Sequence, residues 1–308
     1  METAVKTDIM ELVRRRLVLY DGGMGTMLFA AGLLDGESPE PWNWEKPDVV
    51  KEIYRAYYEA GSDVVQTNTF GGTPIKLAEV GLAERTYDAN FLAAKALRSV
   101  CPEGRYVAGD IGPIGKFMKP MGEYTREEFD AAFEAQVRGL VDGGVDLISI
   151  ETMYSLQEAI CALRAAKRLS RLPVVVGMTI DKNPRGFFTL MGEKVPECLK
   201  ALEGEGADIV GSNCTHGSQV FLELARVIRD STDLPVIIQP NRGKPALENQ
   251  VMVYKQTAEE FVADVKTIAS YGVNIIGGCC GTTPEFIARM AAALHDRLQP
   301  APREEPRT

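Results

Sequence analysis

Eight short β-branched runs, each followed by a longer segment of helical spacing, constrain this chain more than any other feature. The runs are Leu17–Tyr20, Asp63–Thr67, Tyr106–Asp110, Asp146–Ile150, Pro173–Thr179, Ala207–Ser212, Pro235–Gln239 and Val273–Gly277. Helical periodicity predicts helices over Pro47–Ala60, Leu82–Val100, Thr125–Gly139, Ser155–Leu169, Val195–Glu203, Gln219–Arg229, Thr257–Tyr271 and Pro284–Leu298. Strands that are apolar almost throughout are buried on both faces, which is the pattern of a parallel sheet covered by helices. Glycines mark several joints from helix to strand, as at Gly144 and Gly272, where a left-handed cap costs little. Eight such units close naturally into a (β/α)8 TIM barrel, an α/β fold, here expected as a single domain over residues 1–298. An open doubly wound sheet is the alternative, and the chain lacks the dinucleotide fingerprint that usually accompanies it. The Pro- and Glu-rich tail 299–308 is expected to be disordered.

A barrel places its chemistry at the carboxyl ends of its strands. The residues there are Asp21, Asn68, Asp110, Glu151, Asp181, Cys214, Asn241 and the pair Cys279–Cys280. Longer loops also follow the strands, at 22–45, 111–124, 181–194 and 240–256. Closure of the barrel would gather these residues although they span some 260 positions. Cys214 ends the sixth run, and Cys279 and Cys280 end the eighth within Gly277-Gly278-Cys279-Cys280-Gly281. Three thiolates at strand ends suit an open metal site whose fourth position is left for a substrate. A redox-sensing vicinal thiol pair and inert packing remain the other readings of the same residues. Cys101, Cys161 and Cys198 fall in or near helices and read as small apolar filler. His216 reads as a neighbour of the cluster outside the ligand set. Glu151 follows a buried apolar run, with no lysine or arginine beside it in sequence, so a ligand ammonium is a natural partner.

Charge narrows the function class. With 34 basic and 43 acidic residues the net charge is −9, which argues against nucleic-acid or anionic-membrane partners and suits a small-molecule protein. No apolar run approaches the roughly 20 residues that span a bilayer. Six cysteines in 308 residues are far from disulfide-scaffold density, so a cytoplasmic setting is expected.

The motifs Asp21-Gly22-Gly23-Met24-Gly25-Thr26-Met27-Leu28, Thr67-Asn68-Thr69-Phe70-Gly71-Gly72, Asp110-Ile111-Gly112-Pro113, Glu151-Thr152, Gly211-Ser212-Asn213-Cys214 and Gly277–Pro284 occur in that order. Together they resemble the homocysteine S-methyltransferase family, from about residue 10 to 298. The resemblance implies zinc held by Cys214, Cys279 and Cys280, with the sulfur of homocysteine completing the shell. It implies that the Asn241 side chain fills the fourth metal position when substrate is absent. It assigns Asp21, with Gly22, and Glu151 to the substrate, the two carboxylates at its amino group. Backbone amides around Phe70 and Gly71 would cradle the substrate carboxylate. Asp21–Leu28 is most similar to the homocysteine domain of cobalamin-dependent methionine synthase. That likeness implies methyl transfer from methylcobalamin to homocysteine, giving methionine, with the corrinoid carried by another domain or protein. A stand-alone enzyme using S-methylmethionine or a betaine, and a non-catalytic zinc- or thiol-binding protein, are the competing expectations.

Overall fold

The structure, a computed structural model, describes residues 7–248 and 251–299. Eight parallel strands form one sheet: β1 Val18–Leu19, β2 Val64–Gln66, β3 Tyr106–Ile111, β4 Leu147–Met153, β5 Val174–Met178, β6 Ile209–Gly217, β7 Val236–Asn241 and β8 Ile275–Ile276. Neighbours run in the order β1, β8, β7, β6, β5, β4, β3, β2, and a parallel bridge from Tyr20 to Val64 joins the two ends. The expected single-domain barrel is what forms.

Period-two alternation explains why nearly every strand residue is apolar. Successive side chains point to opposite faces of a strand. Val18, Val64, Tyr106, Leu147, Val175, Ile209, Ile237 and Ile275 pack into one cluster inside the ring. Leu19, Val65, Val107, Ile148, Val176, Val210, Ile238 and Ile276 pack outward beneath the helices. Both faces are dry, so both must be hydrophobic.

The helix Ile9–Arg15 closes the amino-terminal end of the barrel. Asp8 caps it by accepting from Met10 N–H at 2.8 Å, and Ile9 and Val13 join the interior cluster. Beside it, the Arg16 guanidinium grips buried Asp63 with two bonds of 2.7 and 2.9 Å, and Arg105 pairs with the same carboxylate. Asp63 also accepts from Leu19 N–H at 3.0 Å, tying β1 to β2. Removing one partner of a buried pair leaves the other charge uncompensated. Asp63→Ala is therefore expected to cost about 3 kcal/mol, read from the urea unfolding midpoint, with ligand affinity at the opposite end unchanged.

The elements depart from the sequence reading in informative places. β4 and β6 run on to Met153 and Gly217, so Glu151 and Cys214 lie within strands. The region 82–100 divides into a 3-10 turn Ala83–Arg85 and the helix Thr86–Val100. Pro284–Leu298 breaks at Leu294 into Pro284–Ala293 and His295–Leu298, and the last turn presents Arg297 carbonyl to Leu17 N–H at 3.1 Å. Two of the long loops carry hairpins, Asp181–Asn183 with Gly186–Phe188 and Pro245–Glu248 with Val251–Tyr254. The expectation for the tail concerns residues that, from 300 onward, lie outside those described.

Candidate active site

The eighth strand ends in a turn that needs two of its glycines for different reasons. A Cβ at Gly278 would meet Thr282 Oγ1 at 2.3 Å, while Gly281 adopts a φ of 81°, a left-handed value that disfavours side chains. Backbone bonds fix the two cysteines between these points. Cys279 N–H donates to Pro240 carbonyl at 2.9 Å, and Cys280 carbonyl accepts from Arg242 N–H at 2.9 Å. The turn is thus pinned to the end of β7, and Gly281 N–H donates to Thr26 Oγ1 at 2.9 Å in the short helix Met24–Ala30 that follows β1.

Cys214 comes from the end of β6, where the chain is strained. Cys214 and Thr215 have φ of 63° and 61°, and Thr152 on β4 has 58°. Non-glycine residues rarely hold such values, which cost of order 1–3 kcal/mol each and persist only where the surroundings enforce them. Asn213 holds the Thr152 turn from both sides. Its Oδ1 accepts from Thr152 N–H at 2.7 Å and its Nδ2 reaches Thr152 Oγ1 at 2.8 Å and Cys279 Sγ at 3.8 Å.

The result is a cluster of three sulfurs. Cys214, Cys279 and Cys280 Sγ all lie within 4.8 Å of one another, with Cys214 and Cys280 3.9 Å apart. Tetrahedral coordination with metal–sulfur bonds of about 2.3 Å sets sulfur atoms about 3.8 Å apart. The spacing therefore fits a thiolate-binding tetrahedral ion. Electrostatics agree with that fit. Hydrogen bonds from the Cys279 and Cys280 thiols hold Cys214 as thiolate, down to about 3. The same Cys214 anion, together with burial, pushes Cys280 up to about 12 and raises Cys279. One negative sulfur shares the protons of two, a charge pattern that a divalent cation would replace. Asn241 sits beside Cys214 on β7, and its Oδ1 is buried without a hydrogen-bond partner.

The sulfurs border a cavity of about 490 Å³ whose far wall is acidic. Asp21 and Asp110 are 2% and 5% exposed, and Glu151 faces the same space. Gln66 organises this wall. Its N–H donates to Asp21 Oδ2 at 2.7 Å, its Nε2 to Glu151 Oε2 at 3.1 Å, and its Oε1 accepts from Ser149 Oγ at 2.8 Å. Burial disfavours the charged carboxylates, and their mutual repulsion adds to it. Asp21 rises to about 8 through burial and then the Glu151 charge, and Glu151 to about 7 through burial and then the Cys214 charge. Asp110 is raised by burial, then by Glu151 and Asp21.

Of the residues expected at the site, Asp21, Gly22, Phe70, Glu151, Cys214, Cys279 and Cys280 line this cavity. Gly71 and Asn241 do not line it, and the Gly71 N–H is engaged by buried Glu40 Oε1 at 2.7 Å. Asp181 belongs elsewhere: it is exposed on a hairpin and pairs with His216 Nε2 at 2.8 Å. Asn68 is used internally, donating to Pro39 carbonyl at 2.8 Å and to Asn43 Oδ1 at 3.1 Å. Cys161 and Cys198 are buried, and burial pushes each thiol up to about 12, as filler positions require. Sequence reasoning missed Gln66 and Tyr254 and gave no role to the motif residues Asn213 and Thr152; all four fix or border the site. Among the described residues no helix is long and apolar enough to cross a membrane.

Comparison with known proteins bears on this geometry. The family model for homocysteine S-methyltransferase matches residues 18–294. A methionine synthase of Mycobacterium tuberculosis is 33% identical over 313 residues, covering 96% of this chain and 26% of that protein. The methionine synthase of Mycobacterium leprae is 32% identical, with 94% and 25% covered, so the chain spans about a quarter of the length of these relatives. The metallated form of the homocysteine methyltransferase MmuM from Escherichia coli superposes with a TM-score of 0.77 at 23% identity, over 92% of this chain and 98% of that one. A match that runs from the first barrel strand to past the cysteine turn, over a cavity holding three thiols, places this chain in the homocysteine S-methyltransferase family.

Proposed function

We propose that the chain transfers a methyl group to the thiol of homocysteine, forming methionine, in a zinc-dependent reaction. Methylcobalamin, carried by another domain or protein, is the donor in this reading. The observation that carries it is the pairing, in one cavity, of three mutually close sulfurs with a buried acidic wall. An amino acid bearing a thiol has both matching ends. Asp21 and Glu151 take the ammonium in this reading, with Gln66 holding each in place. Phe70 lines the cavity, and its N–H serves the substrate carboxylate in this reading, because Gly71 N–H already has Glu40.

In this reading Cys214, Cys279 and Cys280 would hold the metal, and Asn241, whose Oδ1 has no hydrogen-bond partner, would stand in when substrate leaves. When bound there, zinc would allow the substrate thiol, with an ordinary pKa near 8.5, to bind as thiolate at neutral pH. The three cysteine thiolates already neutralise a 2+ charge, so they leave a thiolate bound beside them nucleophilic. Anchoring the amino group fixes the sulfur against the methyl donor, which is worth several kcal/mol of entropy when the alignment is good, of order 7 at the low end. All three cysteines line the cavity, so a ligand held there has the sulfurs within its walls.

The test combines metal analysis with methyl transfer from free methylcobalamin to L-homocysteine. One zinc per chain and methionine formation that stops on chelation are expected. Methionine formed from S-methylmethionine or a betaine, and none from methylcobalamin, would replace the corrinoid donor. Stoichiometric zinc with no transfer from any donor would favour a binding protein.

A further inference from the structure

We infer that Asp110 is a third acceptor for the substrate ammonium, so that Asp21, Asp110 and Glu151 together select a primary amine. The inference rests on the reading that this cavity takes the amino end of homocysteine. Asp110 sits on β3, paired in register with Ser149 on β4 and two residues beyond Ala108, the partner of Gln66 on β2. Its backbone is fully engaged, with Asp110 N–H donating to Thr67 Oγ1 at 2.9 Å and its carbonyl accepting from Thr69 Oγ1 at 2.7 Å. Its carboxyl receives the Ile111 N–H but keeps one oxygen free. Asp110 Oδ1 is buried with no hydrogen-bond partner, and the residue lines the cavity. Asp21 Oδ1, on the neighbouring side of the same wall, is unpartnered in the same way.

A buried carboxylate oxygen without a donor is costly, and a fold removes such a group unless something supplies the donor. Two unpartnered buried oxygens, on two residues that line one cavity, leave acceptors for a ligand with more than one N–H. Glu151, held by Gln66 on one oxygen, adds a third carboxylate. A primary ammonium carries three N–H donors on one atom. The count matches, and a quaternary nitrogen, which has none, would leave every acceptor unsatisfied. The trio thus discriminates by donor number as well as by charge.

Calorimetric binding of L-methionine, N-methyl-L-methionine, N,N-dimethyl-L-methionine and the des-amino analogue 4-(methylthio)butanoate tests this on the unaltered protein. Affinity is expected to fall about tenfold with each N–H removed, as for a lost charge-assisted bond, and the des-amino analogue is expected not to bind. Asp110→Asn should weaken L-methionine about tenfold and flatten the N-methyl series, with zinc content unchanged and the thermal stability of the ligand-free protein not lowered. Equal binding of the N-methylated ligands, or an Asp110→Asn protein that binds L-methionine as the wild type does while Glu151→Gln does not, overturns the role of Asp110 and leaves the amine site standing. Equal binding of L-methionine and the des-amino analogue, or no binding of either, overturns the amine site itself and the inference with it.

Discussion

Cys279→Ser and Cys280→Ser are each expected to lose the metal and at least about 10³ in kcat/KM for homocysteine methylation, which corresponds to about 4 kcal/mol of barrier. The reason is local. A serine hydroxyl stays protonated at neutral pH and is a poor ligand where a thiolate is required, so two sulfurs would remain to grip an ion that needs three. The fold should be indifferent to the change. Both residues lie past β8, and their positions are set by backbone bonds to Pro240 and Arg242 that a serine keeps. Circular dichroism should therefore stay barrel-like while metal content falls from one per chain toward zero. A variant that retains full activity after exhaustive chelation would remove the sulfurs from the chemistry.

How much of this was legible beforehand follows from where the information sits. The barrel was readable because both faces of each strand are buried, which writes eight apolar runs into the sequence. The sulfur cluster was readable because Cys214 and Cys279–Cys280 end two of those runs, and closure brings the ends together. The acidic wall was readable only in part. Asp21 and Glu151 follow apolar runs, but the residue that joins them is Gln66, whose role depends on reaching both neighbours across the barrel. Nothing local in Val64-Val65-Gln66 announces that contact. Asn213 was hidden for the same reason, since its partners Thr152 and Cys279 are 61 and 66 residues away in sequence. Asp181 shows the opposite failure: it follows an apolar run just as Asp21 does, yet a hairpin carries it outward to His216. Val251-Met252-Val253-Tyr254 is itself a β-rich run, the local sign of the second hairpin.

Glu151→Gln should raise KM for homocysteine about 10- to 100-fold, the loss expected for a charge-assisted hydrogen bond, with metal content and kcat changed far less. The same substitution should stabilise the ligand-free protein, and pH gives the sign. Burial, then the Cys214 charge, lifts Glu151 from 4.5 to about 7, so between these values the folded state holds a proton that the unfolded state has released. Stability then falls as pH rises through that window and levels off above it. Glutamine carries no such penalty. Its advantage should be absent below the unfolded carboxyl value and largest above pH 7, with an upper bound of about 3 kcal/mol. Thermal unfolding at pH 5 and pH 8 without amino acid present measures it, as a gain of several degrees at pH 8 that shrinks at pH 5. Equal gaps at the two pH values, or an unchanged KM, would take Glu151 out of the amine-binding role. A gain in stability bought by weaker substrate binding is what a carboxylate kept for a ligand, and against the preference of its own fold, has to show.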